Sequence, residues 1–212
     1  FSDDLPQLPE AWRYAYLGSL LHGTKYGTAK KCDYKPAAYK VLRIPNIGEG
    51  RIIGDDLKYA DLSDREYQTL ALEPGDLLLI RSNGSVSLVG RAALVTPNFA
   101  GYAYAGYLIR LRPKTEKVVP EYLNQVLASF PIRFQIEVPA RSTSGVNNIN
   151  SEEVANLLVP LPPKMEQLEI VRRVEDLMQQ ADAIQVRYQK AMTFVDKLMP
   201  SILAKAFRGE LT

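Results

Sequence analysis

The sequence predicts a mixed α+β domain followed by a long α-helix built to form a coiled coil, and two observations carry that prediction. Residues 1–163 hold nearly all of the glycines and prolines, with short apolar runs between them, whereas residues 164–212 hold one of each. In that second stretch Val174, Leu177, Ala181, Ile184, Tyr188, Ala191, Val195 and Leu198 step by alternating intervals of three and four residues, which is the spacing of a coiled-coil seam. The expected domains are therefore 1–163 and 164–212.

Within the first region Tyr39-Lys40-Val41-Leu42-Arg43-Ile44 alternates and is rich in β-formers, so it reads as a strand. Ser63-Asp64-Arg65-Glu66 has the form of a capping box and opens a short helix. Asp76-Leu77-Leu78-Leu79-Ile80 follows a Pro74-Gly75 turn and reads as a buried strand. Further strands are expected within Val86–Val95 and Tyr104–Leu111, the latter with Tyr107, Ile109 and Leu111 on one face. Pro120 suits the first position of a helix, Pro131 restarts it after Ser129, and Asn150 caps another short one. No βαβ repeat is regular enough for a Rossmann sheet. Val159-Pro160-Leu161-Pro162-Pro163 reads as a stiff, extended boundary. Beyond it, Lys164–Met199 as one helix would rise about 54 Å, a stripe few compact domains of this size can bury internally, so it is expected to project and to need a partner. The alternative is a helix folded back along its own domain. Pro200 is expected to interrupt it, leaving a short terminal helix, Ser201–Arg208, stopped by Gly209.

Composition excludes several classes. No apolar run approaches the roughly 20 residues of a membrane helix, and the N-terminus has neither the basic nor the apolar part of a secretory signal. One cysteine, Cys32, fits a reducing cytoplasm. With one histidine, His22, it cannot build a tetrahedral zinc site of the usual kind. Nothing around Cys32 resembles a nucleophile's setting. A Walker phosphate loop is missing, as are a glycine-rich methyl-donor loop with its catalytic tetrapeptide and a convincing nuclease pattern. The chain reads as non-catalytic, with no cofactor.

Net charge is only +2, but charge is segregated. Residues 25–51 carry seven basic and two acidic side chains, residues 52–76 seven acidic and two basic, and residues 77–114 five basic and no acidic ones. Such blocks present a basic face on a nearly neutral chain, or they are alternating solvated surfaces. Three segments combine donors, small residues and positive charge, the mixture that phosphate and base-edge contacts demand. The first is Gly23–Lys31, with Lys25, Tyr26, Thr28, Lys30 and Lys31 as candidates. The second is Arg81-Ser82-Asn83-Gly84-Ser85, with Arg91 nearby. The third is the polar stretch Arg141–Asn150, with Arg141, Ser142, Thr143, Asn147, Asn148 and Asn150. Each alone is also an ordinary turn.

These segments lie within a longer ordered set: Leu8-Pro9-Glu10-Ala11-Trp12, Lys25-Tyr26-Gly27-Thr28, Leu42-Arg43-Ile44-Pro45-Asn46-Ile47, Leu72-Glu73-Pro74-Gly75-Asp76-Leu77-Leu78, Arg81–Ser85 and Val89-Gly90-Arg91. Asn147–Asn150, Leu161-Pro162-Pro163, Glu166-Gln167, Ile170-Val171 and the ending Ser201–Leu211 continue it. The set covers nearly the whole chain and resembles the specificity subunits of type I restriction-modification systems, as one target-recognition domain with its long helix. In that family two recognition domains alternate with two helices that pair as an antiparallel spacer. The resemblance implies a cytoplasmic, prokaryotic protein that binds double-stranded DNA through the three segments. It implies partners too: methyltransferase subunits, through them the restriction subunit, and a second copy or the other half of the specificity subunit along the seam. With one domain and one helix, the chain is expected to be a C-terminal half or a half-subunit that dimerises. The alternatives are the recognition part of a fused restriction-methylation enzyme, or an interaction module that does not touch DNA.

Overall fold

The computed structural model describes residues 6–140 and 146–210. They divide into two compact units, Phe1–Leu168 and Glu169–Thr212. In chain order the first unit contains β1 (Arg13–Tyr16), β2 (Leu21–Tyr26), β3 (Tyr39–Leu42), β4 (Gly50–Arg51), β5 (Lys58–Ala60) and α1 (Asp64–Leu70). β6 (Leu77–Ile80), β7 (Ser82–Asn83), β8 (Ala92–Leu94), β9 (Ala103–Tyr104) and β10 (Leu108–Pro113) follow. Then come α2 (Pro120–Ala128), α3 (Phe130–Ala140), β11 (Asn147–Asn148), α4 (Ser151–Ala155) and β12 (Leu158–Leu161). The helix α5 (Lys164–Phe207) starts in the first unit and supplies nearly all of the second. The architecture is the mixed α+β domain with a long helix that the sequence predicts.

The central sheet has the order β2-β10-β6-β8-β4, antiparallel except for the parallel β4–β8 pair. A three-stranded sheet, β5-β3-β9, joins an antiparallel to a parallel pair. β6 explains why the two layers cohere. All four of its residues are buried, because alternate side chains point to opposite faces and both faces are covered. Leu78 and Ile80 enter a cluster with Leu108 of the same sheet and with Val41, Leu42, Ala103 and Tyr104 of the three-stranded sheet. α2, with Tyr122, Leu123, Val126 and Leu127 buried, packs against β8 and β4. Burying a leucine fully is worth about 1.5–3 kcal/mol, so this strand anchors the unit.

The buried polar side chains Asp76, Asn46 and Gln167 are answered. Asp76, next to β6, accepts from the Nε and an Nη of Arg112, each at 2.8 Å, and from the Glu73 backbone N–H at 2.8 Å. Asn46 donates to the carbonyls of Ile53 and Asp55 and accepts from the Arg43 N–H, which pins the connection after β3. Gln167 accepts from Val119 N–H at 2.8 Å and donates to the carbonyls of Pro162 and Lys117. Trp12 donates its indole N–H to Glu166 at 3.0 Å. Two motifs 154 positions apart therefore meet at the seat of α5.

The capping boxes at Ser63 and Asn150 form, and Pro120 stands in the first turn of α2. Several expectations need correction. Val159–Pro163 is not merely a linker: β12 pairs antiparallel with β1 and buries Val159 and Leu161, because prolines are tolerated in a two-stranded edge where few N–H groups are needed. Within Val86–Val95 only Ala92–Leu94 is strand, since Val86–Leu88 forms a 3-10 turn. Tyr107 does not share the buried face of Ile109 and Leu111. It sits in the turn before β10 and is 63% exposed. Finally, Pro200 does not end the long helix, which runs to Phe207 with the proline inside it. Proline removes the bond to the carbonyl four residues back. Here that carbonyl belongs to exposed Asp196, where water can satisfy it, and Leu203, Ala204, Lys205 and Ala206 carry the helix on. No separate terminal helix forms. Gly209, at φ +71°, closes α5 by a Schellman pattern, donating to Ala206 O while Glu210 N–H reaches Lys205 O.

Of the seam residues on α5, Leu177, Ala181, Ile184, Tyr188, Ala191, Val195 and Leu198 are exposed and Val174 is half-buried. Met178, Met192 and Met199, each one position after a seam residue, are exposed as well and widen the apolar strip. Among the described residues no helix is long and apolar enough to cross a membrane.

Candidate nucleic-acid interface

The first two candidate segments converge on one open groove of about 690 Å³. It is lined by Thr28, Ala29, Lys30, Lys31, Cys32, Arg43, Ile44, Pro45, Lys58, Arg81, Ser82, Ala105, Gly106 and Tyr107. Five of these side chains are cationic and none is acidic.

The first segment is only partly a loop. Lys25 and Tyr26 belong to β2, an edge strand whose partner is β10, and Lys25 is exposed opposite Arg110. Gly27 then lets the chain cross against the end of β9. A Cβ there would lie far inside contact distance of the carbonyl oxygens of Tyr104 and Ala105, so no other residue fits without moving backbone. Thr28 closes the crossing, taking Tyr104 O at 2.8 Å through its N–H while its own carbonyl accepts from Gly106. Lys30 is already engaged, donating to Glu66 and to the Asp61 carbonyl, both at 2.8 Å. Lys31 is exposed, with no ionic partner among the described residues.

The second and third segments are joined. β7 and β11 pair antiparallel, Asn83 opposite Asn147 and Ser82 opposite Asn148. The Asn147 amide donates to Gly84 O at 3.0 Å, and Asn83 accepts from the Ser85 N–H at 2.9 Å. Ser85 and Ser87 share a hydrogen bond. Asn150 is spent on the fold, capping α4 by accepting from the N–H groups of Glu152 and Glu153. Asn148 is exposed. Arg141, Ser142 and Thr143 lie outside the described residues. Arg91 stands apart from the groove, 3.8 Å from Glu49.

Arg81 and Tyr26 link all three segments. The Arg81 guanidinium stacks over the Tyr26 ring at 4.5 Å, and the Tyr26 hydroxyl accepts from the Ser151 backbone N–H at 2.9 Å. The Arg81 main chain is held on both sides, its N–H donating to Tyr107 O and its carbonyl accepting from Ile149 N–H.

Sequence reasoning missed Arg43, Lys58 and Tyr107. Lys58 lies in the acidic block, and only the pairing of β5 with β3 carries it to the groove. Its ammonium sits 4.5 Å over the Tyr34 ring. Arg43 bonds the carboxylate and carbonyl of Asp56 at 2.7 and 2.6 Å. Tyr34, which donates to the same carboxylate at 2.7 Å, and then Arg43 hold the Asp56 carboxyl below its ordinary value. Burial pushes the Cys32 thiol up, outweighing the lowering effect of Arg43 and Lys58, so the thiolate is disfavoured. Among the described residues no hydrogen bond joins His22 to Cys32, and no group of three or more His, Cys, Asp or Glu side chains is arranged to hold a metal ion.

A pinned basic groove with exposed donors and aromatic faces suits an anionic polymer better than a reacting small molecule. Comparison with known proteins places the chain in a family. The family model described as type I restriction modification DNA specificity domain matches residues 9–191. The chain is 37% identical over 202 residues to the type I restriction enzyme StySPI specificity subunit of Salmonella potsdam, covering 95% of this chain and 43% of that protein. It is 36% identical over 195 residues to the EcoKI specificity subunit of Escherichia coli (strain K12), covering 92% and 42%. It thus spans less than half the length of these curated relatives. The HsdS subunit from Thermoanaerobacter tengcongensis matches with a TM-score of 0.71 at 22% identity, over 97% of this chain and 52% of that one. A chain from a type I R-M system, solved to explain its complex assembly and conformational transition, matches with a TM-score of 0.73 at 22% identity over 97% and 48%. The two solved structures bear on the fold, and the family model and the curated relatives on kinship. The chain belongs to the family of type I restriction modification DNA specificity domains.

Proposed function

We propose that this chain recognises DNA sequence, reading one half of a split target, and that it works as the specificity component of a type I restriction-modification complex. It directs separate methyltransferase and restriction subunits and performs no chemistry itself. Residues 1–163 are the reading domain and 164–212 the spacer and docking arm. The supporting observation is the groove, whose lining includes Lys31, Lys58, Arg81 and exposed Tyr107 and no acidic residue. Cations of this kind neutralise phosphates, which makes binding steeply salt-dependent. Arg81, Asn148 and Ser82 are the candidates for base edges, whereas Asn150 and Lys30 support the fold around them.

The test is DNA binding by the chain assembled with its methyltransferase subunit, measured across salt concentrations. Changing Lys31 and Lys58 to Glu weakens binding to every sequence and flattens the salt dependence, while the complex still assembles. Binding with an unchanged salt slope would overturn the assignment of DNA to this groove.

A further inference from the structure

We propose that Arg81 reads a guanine in the DNA target and that Tyr26 is the residue that positions it to do so. This rests on the DNA-reading function proposed above and adds to it a base and a device.

Two arginines line the groove, and their circumstances differ. Arg43 is committed within the protein, its terminal nitrogen bonded to the carboxylate and carbonyl of Asp56. For Arg81, no hydrogen bond or ion pair engages the guanidinium among the described residues, and it rests on the face of Tyr26. Its Nε is shielded from solvent and unpartnered, which leaves the two terminal nitrogens as the donors for a ligand.

Contact with a ring face confines a guanidinium to one side of the ring without occupying its terminal nitrogens. The ring itself is held at both ends. Tyr26 is the last residue of β2, in register with Ile109, and its hydroxyl is tied to the Ser151 N–H. Arg81 directly follows four buried residues of β6, and its backbone is bonded to Tyr107 on one side and Ile149 on the other. A long side chain loses much freedom when it binds, and here that ordering is done in advance. A forked pair of donors held in place over the ring matches the paired acceptors O6 and N7 of guanine, the commonest specific arginine contact in the major groove. A phosphate would also accept a fork, but it carries no base information, and the two outcomes separate experimentally.

The chain is assembled with its methyltransferase subunit and offered a pool of DNA randomised across the target, and methylated molecules are sequenced. Thermal unfolding of each variant is followed in parallel. The wild-type complex shows guanine selected at one position of the half-site. Arg81→Ala and Arg81→Lys both reduce that preference by about ten- to hundred-fold and leave the other positions intact. Tyr26→Leu, which removes the ring, reduces the same preference by about two- to five-fold, while Tyr26→Phe retains it. If Arg81→Ala relaxes one position and Tyr26→Leu relaxes none, or Tyr26→Phe relaxes it as much as Tyr26→Leu, the positioning role of the ring is overturned and the base contact stands. If the Arg81 variants lower methylation of all sequences alike, Arg81 binds a phosphate and the guanine assignment is wrong. If neither residue affects methylation but a motif persists, the groove is not where DNA is read and this inference fails. If methylation of the wild-type complex has no motif at all, the functional proposal itself fails.

Discussion

Lys30 and Lys31 are adjacent in sequence and look interchangeable there, yet the fold gives them different tasks. Lys30 is tied to Glu66 and the Asp61 carbonyl, whereas Lys31 is exposed with no ionic partner among the described residues. Replacing Lys31 with Ala therefore lowers the salt slope of DNA binding by close to one ion, about 0.9 for each phosphate that is no longer neutralised, and replacing Lys30 changes it less. Equal effects would show that Lys30 leaves Glu66 for the DNA. Glu66 has a consequence of its own. Hydrogen bonds from Lys30, then from Ser63, pull its carboxyl down from 4.5 to about 2. A carboxyl depressed in the folded state stabilises the fold above its unfolded value, and that contribution is lost as pH falls through the folded one. The first unit therefore loses stability between about pH 4.5 and pH 2 in part through Glu66, and Glu66→Gln flattens that part of the acid unfolding curve. An unchanged curve would show the pair to be fully screened.

Among the elements, the strand–glycine–bridge passage from β2 to Thr28 is the one on which the groove depends most. Gly27→Ala pushes a methyl group into the Tyr104 and Ala105 carbonyls. Relief requires backbone movement, so a destabilisation of about 1–3 kcal/mol is expected in urea unfolding. A neutral result would mean that this crossing is pliable. The seam of α5 makes a second prediction. Leu177→Asp and Ile184→Asp place charge on a strip that needs an apolar partner, so pairing through that strip, whether with a second copy or with another recognition half, is lost in sedimentation while the unfolding transition of the first unit stays put.

The same elements show what was legible in advance. β6 announced itself as a short apolar run after Pro74-Gly75, and the caps at Ser63 and Asn150 followed from local hydrogen-bonding rules. β12 was hidden because three prolines speak locally for a linker, whereas its partner β1 lies at the opposite end of the first unit's sequence. The reach of α5 past Pro200 was hidden because a local breaker was overruled by strong helix formers around it. In the groove, Arg81 and the lysines of the first segment were legible as types. Lys58 and Tyr107 were not, because non-local pairing placed them there, and neither was the stacking of Arg81 on Tyr26.

For the whole molecule, the proposed function makes the basic groove of one unit a reader and the exposed heptad strip of the other its means of pairing. If α5 pairs with a second copy, two identical readers act on one duplex, and two-fold symmetry makes the target a palindrome of two equivalent half-sites. If it pairs with a different recognition half, the target is split and asymmetric. In both arrangements the central claim is that this chain supplies the sequence information. The direct measurement is to assemble it with its methyltransferase subunit, methylate plasmid DNA, and map every modified site. Methylation confined to a single motif, and relaxed or abolished when Lys31 and Arg81 are changed to Ala, is the predicted result. Methylation scattered without a motif, or a motif indifferent to those substitutions, would contradict the account.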